Sequence, residues 1–148
     1  MQEKDFQKKT DDALLLDNQL CFPLYACARE VIKLYRPFLD EIGLTYTQYI
    51  TMMILWEKKQ VTVKQLGQSL YLDSGTLTPL LKKMEAKGFI TRNRSTIDER
   101  NLIVTITEKG EALKKDAVSV PEKMAGCVNL TPEEAETLRS LLYKLMEE

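Results

Sequence analysis

The sequence contains no histidine and only three cysteines among its 148 residues. Without histidine, the Ser-His-Asp and Cys-His arrangements of nucleophilic catalysis are excluded. Three cysteines this far apart, an odd number, form neither a disulfide framework nor a typical structural zinc site. The six glycines are scattered, and none falls into a phosphate-binding fingerprint. We therefore expect a protein that is not an enzyme and that has no cofactor and no metal.

Long hydrophobic runs are also missing. No stretch approaches the roughly 20 apolar residues that span a bilayer, and residues 1–12 are polar with mixed charges, unlike a signal peptide. These features predict a cytoplasmic protein with no membrane partner, in which residues 1–12 form a frayed arm and each cysteine rests as a thiol. The length and the 44% hydrophobic content suit one domain over 1–148 with a real core.

Residues 61–106 have the pattern of a helix-turn-helix followed by a two-stranded wing. Thr62, with Gln65 three residues later, predicts a capping box at the start of a short helix. The pair Asp73-Ser74 offers a cap for a second helix, and Pro79 is expected to bend or loosen its first turns. The apolar positions of this second helix fall on one face: Leu77, Leu80, Leu81 and Met84.

The wing follows directly. Gly88 ends the second helix, residues 90–95 read as a strand, and residues 96–100 form a polar, charged tip. Leu102, Val104 and Ile106 alternate as a returning strand. The fold class expected is mainly α with a small β-hairpin wing, a winged helix-turn-helix.

The charge of this region favours DNA as its partner. Between Lys82 and Arg100 there are six cations and three acids, a local net charge of +3 in a chain whose net charge is −1. Hydroxyl groups at a helix start can bond phosphates or base edges, and arginines on a hairpin fit the minor groove. The alternative is a winged helix used only for packing or protein contacts, with a solvated charged face. The predicted DNA-binding residues are Ser74, Thr76, Thr78, Lys82, Lys83, Arg92 and Arg94, together with the tip.

Two further helices precede the winged region. Residues 14–39 repeat apolar positions in steps of three and four, with Pro23 in the first turn or at a kink, and Pro37 expected to bend or end the helix near Tyr35-Arg36. Thr45 and Gln48 predict another capping box. The helix after it has the predicted buried stripe Tyr49, Met52, Met53 and Trp56.

The C-terminal part predicts two helices. Thr107 caps the first, whose apolar positions are Leu113, Ala117, Val120 and Met124 and which Pro121 is expected to bend. Thr131, Pro132 and Glu134 open the last helix, with the stripe Leu138, Leu141, Leu142 and Leu145.

The terminal helices are apolar over more surface than the winged region can cover. We expect residues 13–44 and 107–148 to form a homodimer, with residues 45–106 binding DNA. A two-fold dimer would place its recognition helices about 10 base pairs apart on an inverted-repeat operator. The alternative is that these helices pack only within one chain.

Cys21 is the residue that would make such a DNA binder a sensor. Tyr25 lies one turn further on, and Tyr35, fourteen residues on, points within about 40° of Cys21 but lies roughly 21 Å away along the axis. Tyr35 would therefore reach Cys21 from the other subunit, where phenolic hydroxyls can bond to a thiolate. Help from the helix dipole is not expected, because Cys21 is placed past the first turn. The alternative is a small core residue.

Four stretches together resemble the MarR family, and more narrowly its organic-hydroperoxide-sensing OhrR branch, which includes related staphylococcal thiol-switch regulators. The likeness covers nearly the whole chain, and the combination is specific to the branch, whereas the wing stretch alone marks only the family. The stretches are Asn18–Phe22, Leu44–Tyr46, Leu72–Glu85 and Asp98–Arg100.

The resemblance implies roles for particular residues. Cys21 matches the peroxidatic cysteine, and Tyr35 and Tyr46 match the tyrosines that bond to it across the dimer. Arg100 matches the wing arginine that enters the minor groove, with Asp98 holding its side chain; the alternative for this pair is a simple turn salt bridge.

The resemblance also implies Cys127 as the resolving partner in an intersubunit disulfide, with a small cellular thiol or over-oxidation as alternatives. Cys27 fits less well, since six residues along a helix place it about 9 Å from Cys21, beyond the roughly 7 Å limit for a bridge. Gly126 would permit the local movement that bridging needs. The implied function is a repressor that an organic hydroperoxide releases from DNA through Cys21. The alternative function is a MarR-type regulator that binds a small aromatic ligand, with Cys21 structural.

Overall fold

The computed structural model describes residues 12–98 and 101–147. The polar arm, except for its last residue, and the tip residues Glu99 and Arg100 lie outside the described residues. After a 3₁₀ turn, eight α-helices and three strands are described in these two ranges. Their bounds are α1 Cys21–Glu41, α2 Tyr46–Lys58, β1 Gln60–Thr62, α3 Val63–Leu70, α4 Ser74–Ala86, β2 Ile90–Arg94, β3 Leu102–Ile106, α5 Glu108–Ala112, α6 Lys114–Ala117, α7 Val120–Ala125 and α8 Pro132–Met146.

Local capping chemistry sets the starts of five helices. Capping boxes form at α2, α3 and α8, where a threonine accepts the N–H of the residue three positions later, whose side chain accepts in return. The pairs are Thr45–Gln48, Thr62–Gln65 and Thr131–Glu134. Asp73 caps α4 and Thr107 caps α5 by single hydrogen bonds. The predicted starts of these helices are confirmed.

The sheet has three strands, not the two that the sequence predicts. Its order is β1-β3-β2 with antiparallel pairing throughout, and Val61 lies opposite Val104 while Ile90 lies opposite Ile106. Strand β1 is three residues long and runs directly into the extended N-cap Thr62. Such a short strand is too brief for an alternating pattern, and it forms because β3 offers a free edge.

The core lies between α2, α3, α4 and the sheet. Met52, Leu66, Met84 and Val104 are fully buried, as are Leu39, Leu55, Leu77 and Leu81. The one error in the predicted stripes of α2 and α4 is Met53, which is 47% exposed in this chain. Helix α1 packs against α2 and α7, so the winged region rests on the terminal helices.

Three prolines lie within helices whose bounds or course differ from the predicted ones. Helix α1 begins at Cys21, seven residues later than expected, and Pro23 occupies its first turn, where an N–H has no helical partner. The expected end near Pro37 is wrong, because α1 continues to Glu41. Helix α4 likewise runs unbroken through Pro79.

The helix predicted after Thr107 is divided into α5, α6 and α7. The junction residues Leu113, Val118 and Ser119 keep right-handed helical dihedrals, so the chain continues in nearly the same course. Pro121 cannot donate to the carbonyl of Ala117, which accounts for the interruption before α7. Ala117, Val120 and Met124 are buried as predicted. Within residues 12–98 and 101–147, no helix is long and apolar enough to cross a membrane.

Candidate nucleic-acid interface and thiol site

Helix α4 presents two chemically different faces. Its inner face is the buried stripe that includes Leu77 and Leu81. At its start, Asp73 Oδ1 accepts the N–H of Thr76 at 2.8 Å, and backbone hydrogen bonding from Thr76 lowers the pKa of the Asp73 carboxyl. The cap therefore carries a negative charge at neutral pH, which suits the positive end of a helix dipole.

The outer face of α4 is polar and open to solvent. Its predicted DNA-binding side chains are all exposed: Ser74, Thr76, Thr78, Lys82 and Lys83. The hydroxyl of Thr78 donates to the carbonyl oxygen of Ser74 at 2.8 Å, so its remaining lone pairs can still accept. Hydroxyl groups followed by two ammonium groups along one exposed helix face match what base edges and phosphates require.

The wing between β2 and β3 is closed by a compact polar turn. Ser95 N donates to the Asn101 carbonyl at 2.8 Å, and Asn101 N donates to the Asp98 carbonyl at 2.9 Å. The Asp98 carboxylate also accepts the Asn101 side-chain amide at 3.1 Å. Arg94 is exposed at the base of this turn. The predicted contact between Asp98 and Arg100 lies outside the described residues.

Arg92 has a structural partner that the sequence did not reveal. Its guanidinium donates to Glu85 Oε2 from Nε at 3.1 Å and from Nη2 at 2.7 Å, and its backbone N–H donates to Oε1 at 3.0 Å. The Arg92 hydrogen bond lowers the pKa of Glu85. This pair ties α4, the predicted recognition helix, to the wing, so the two present one surface. A role for Arg92 in contacting DNA stays a prediction.

Cys21 is exposed at the first residue of α1. The expectation that it lies past the first turn is wrong, because the helix starts later than its apolar pattern. The N–H groups of a first helical turn carry partial positive charge, which favours an anion there. Cys21 therefore lies at the N-terminal end of α1, contrary to the prediction.

Tyr35 and Tyr46 are brought together, and Tyr49 joins them. The ring centroid of Tyr35 lies 4.9 Å from that of Tyr46 and 6.0 Å from that of Tyr49. Burial raises the pKa of all three phenols, so each keeps its proton at neutral pH and can donate a hydrogen bond. The sequence could have indicated that Tyr49 joins the cluster, since Tyr49 follows Tyr46 by three residues on one helix and the two therefore share a face.

Tyr25 lies apart from this tyrosine cluster. Its hydroxyl accepts from Arg29 at 3.3 Å, and the same guanidinium lies 5.5 Å from its ring centroid. Cys21 and Tyr35 lie on the same helix, fourteen residues or about 21 Å apart. Within one chain, the Cys21 thiol is therefore too far from the tyrosine cluster to form a hydrogen bond with it.

The other two cysteines are also exposed thiols. Cys127 lies between α7 and α8, and its Sγ is 3.4 Å from the Lys123 carbonyl oxygen. Gly126 beside it has an ordinary φ of −69°, so this conformation does not itself require glycine. Cys27 lies on α1. Within the described ranges, no cluster of three or more potential metal ligands is found.

Both terminal helices leave apolar surface uncovered in the single chain. Leu20, just before α1, is 72% exposed, and Leu141 on α8 is 57% exposed. Other exposed apolar side chains on these helices are Phe22, Leu24, Ile32, Leu34, Leu138, Tyr143, Leu145 and Met146. Exposed apolar side chains in this number favour an interaction site at the terminal helices, and Cys21 lies between two of them in the chain, Leu20 and Phe22.

Helix-turn-helix, wing and exposed basic face together define a winged-helix regulator. Residues 33–117 match the family described as "Transcriptional regulator SarA/Rot". The chain is 49% identical over 136 residues to the organic hydroperoxide resistance transcriptional regulator of Bacillus subtilis, covering 92% of each chain. It is 42% identical over 123 residues to the regulator SarZ of Staphylococcus epidermidis, covering 83% of each. The chain belongs to this family of MarR-type winged-helix transcriptional regulators.

Solved structures of AbfR are similar to this chain in fold. AbfR of Staphylococcus epidermidis is 34% identical, with a TM-score of 0.68 over 94% of this chain and 99% of that one. Other AbfR structures contain the reduced protein bound to DNA, the disulfide-bonded protein, and the overoxidized protein bound to DNA. Those three are matched at TM-scores of 0.72, 0.64 and 0.73 respectively.

Proposed function

We propose that this chain is a dimeric, redox-sensing repressor that binds an inverted-repeat operator when reduced and leaves it when an organic hydroperoxide oxidises Cys21. The observation that carries the proposal is the position of Cys21. It is an exposed thiol at the positive end of a 21-residue helix, inside apolar surface that a second copy would cover.

The proposed reaction of Cys21 has two steps, oxidation and disulfide formation. The Cys21 thiolate attacks the peroxide, the O–O bond breaks, and the products are a sulfenic acid on Cys21 and, after proton uptake, an alcohol. The Cys127 thiol of the partner subunit then attacks the sulfenic sulfur, forming a disulfide and releasing water. The protonated phenols of Tyr35 and Tyr46 would donate hydrogen bonds to the thiolate from across the dimer.

Relatives support the disulfide as the state that releases DNA. AbfR has been solved on DNA both reduced and overoxidized, and separately in its disulfide form. If this chain behaves alike, adding oxygen to the sulfur is not enough, and a bridge between subunits is needed to move the recognition helices. The bridge shifts the equilibrium only by its differential free energy in the two forms. A difference of about 2 to 3 kcal/mol suffices for a change of order 100-fold in affinity.

Binding of DNA follows from the exposed face of α4 and the wing. In a two-fold dimer both faces would meet successive turns of one duplex. We expect Ser74 and Thr76 to lie at base edges or phosphates, and Lys82 and Lys83 at phosphates.

The test uses fluorescence anisotropy with a duplex selected for binding to the reduced protein. Wild type, Cys21→Ser and Cys127→Ser are measured with and without cumene hydroperoxide, beside a non-reducing gel. Of these three proteins, we expect only wild type to be released and to form a covalent dimer. Cys27→Ser is the matched control, since it removes an exposed thiol from the same helix and should behave as wild type.

Each other outcome has a meaning. Release of Cys127→Ser by peroxide alone, without a covalent dimer, would assign the effect to oxygenated Cys21, and release only when a small thiol is added would assign the trapping to that thiol. If Cys21→Ser is still released by an aromatic effector, the protein is a ligand-responsive regulator and the thiol proposal is wrong.

A further inference from the structure

Lys87 joins the end of the recognition helix to the turn between α1 and α2. Its Nζ donates to the carbonyl oxygen of Gly43 at 2.7 Å and to Gln48 Oε1 at 3.1 Å. Lys87 is the C-cap residue of α4. Its ammonium thus binds protein acceptors that lie 44 and 39 residues earlier in the chain.

Both acceptors belong to the segment where α1 ends and α2 begins. Gly43 follows α1 with a left-handed φ of +69°, and Gln48 is 3% exposed in the first turn of α2. Gln48 Oε1 also accepts the N–H of Thr45 at 3.2 Å, which completes the capping box of α2. Through Gln48, Lys87 therefore contacts the helix that carries two of the three clustered tyrosines, and through Gly43 it contacts the end of the helix that begins with Cys21.

The same end of α4 is held from the other side by the chain that leads to Cys127. Lys109 Nζ donates to the Lys87 carbonyl oxygen at 2.7 Å, and Thr107 Oγ1 donates to the Gly88 carbonyl oxygen at 2.6 Å. Lys109 belongs to α5 and Thr107 is its N-cap. The C-terminal end of α4 is thus hydrogen bonded both to the α1–α2 turn and to the start of α5.

We propose that Lys87 is a positioning residue that couples the oxidation state of Cys21 to the recognition helix. The proposal rests on the proposed function. A shift of the α1–α2 turn on oxidation is passed to α4 because the Lys87 backbone is the C-cap of α4 while its ammonium binds that turn through charge-assisted hydrogen bonds, which are stronger than neutral ones. Lys87 contributes to the coupling and not to the contact with DNA, since its hydrogen bonds are made to protein.

The first experiment is hydrogen exchange on the reduced protein, with and without the selected duplex. In wild type, DNA bound to α4 should slow exchange at residues 43–49, because coupling between two sites is reciprocal. Lys87→Met keeps the unbranched apolar stem and removes the ammonium. We expect the slowing at 43–49 to disappear in this variant while protection of α4 by DNA remains.

The second experiment compares the affinities of oxidised and reduced protein for the same duplex. Coupling between sites typically spans about 5- to 150-fold, and we expect the oxidised-to-reduced ratio to shrink at least about fivefold in Lys87→Met. The salt dependence of reduced binding should not change. Lys82 is an exposed cation on the same helix. Lys82→Met should instead weaken DNA binding by the oxidised and reduced forms alike, and it should lower the slope of log affinity against log salt concentration by about 1. Lys114→Met is the control for loss of an exposed lysine away from α4 and should leave the ratio unchanged.

Two outcomes overturn the proposal. A lower salt slope with an unchanged ratio in Lys87→Met makes Lys87 a phosphate contact. A lower Tm with a wild-type ratio and wild-type exchange makes it merely structural. Should oxidation fail to release wild type from DNA, the proposed function falls, and the exchange experiment still decides whether Lys87 links the two regions.

Discussion

Gly110 lies where α5 packs on the chain that leaves the recognition helix, and replacing it with alanine tests that packing. A Cβ at this position would lie 2.3 Å from the Phe89 carbonyl oxygen and 2.8 Å from Ile106 Cγ1. The Phe89 oxygen is backbone and already accepts the N–H of Thr107 at 3.0 Å. It cannot turn away without breaking that hydrogen bond, so the added methyl group must displace backbone.

The magnitude follows from two opposing effects. Alanine is favoured over glycine inside a helix by about 1 kcal/mol. Overpacking a well-filled site costs about 1–3 kcal/mol, and two contacts this short place Gly110 at the upper end. The net loss is therefore about 2 kcal/mol, which corresponds to a Tm lowered by about 4–8 °C for a domain of this size.

Urea unfolding of the reduced protein at one fixed concentration measures this loss, because stability of an oligomer depends on concentration. Gly126→Ala is the matched control. Its Cβ meets only the Lys123 carbonyl oxygen at 3.5 Å, and its backbone is helical, so we expect no loss or a gain of up to about 1 kcal/mol. Equal stability of the two variants would refute the packing argument at Gly110.

Two further predictions concern α4. Because Arg92 lowers the pKa of Glu85, this carboxylate stabilises the fold fully above its ordinary value of 4.5, and the stabilisation is lost as pH falls through the folded value. When the free energy of unfolding in urea is measured against pH, Glu85→Gln should therefore lose less stability on acidification than wild type. The control is Glu57→Gln, at an exposed position, which should lose as much as wild type. Met84→Ala should cost about 2–5 kcal/mol, since Met84 is 0% exposed.

Both predictions have a contradicting result. Identical acid limbs for wild type and Glu85→Gln would mean that the ion pair between helix and wing does not form in solution. For Met84, the control is Met53→Ala on α2, which is 47% exposed and should lose less stability. If the two methionine variants lose the same stability, the core is not where the structure places it.

The helix starts of the winged region and of α8 could be predicted from the sequence because their signals are local. A cap and its box occupy four consecutive residues, so Thr45, Thr62 and Thr131 were found without any knowledge of the fold. The buried stripe of α4 was found because a helix repeats every 3.6 residues whatever it packs against.

Prolines show where local signals conflict with tertiary packing. Pro37 lacks one backbone donor, a local cost that predicts an end or bend, yet α1 continues to Glu41. Leu39 beyond it is 1% exposed, and that burial favours the continued helix. At the other end, the apolar pattern extends seven residues before Cys21, although these residues lie outside α1.

What the sequence by itself determined is the class of fold, the helix caps and the basic face, and its family resemblance adds the prediction that Cys21 is the sensor thiol. Only the tertiary structure decided that Arg92 faces Glu85, that Tyr49 joins Tyr35 and Tyr46, and that Lys87 reaches Gly43. The physical reason is the sequence separation over which each kind of interaction acts. Capping and periodicity act over a few residues and leave a mark in the sequence, whereas these contacts join side chains from separate elements, and their distances exist only once the chain has packed.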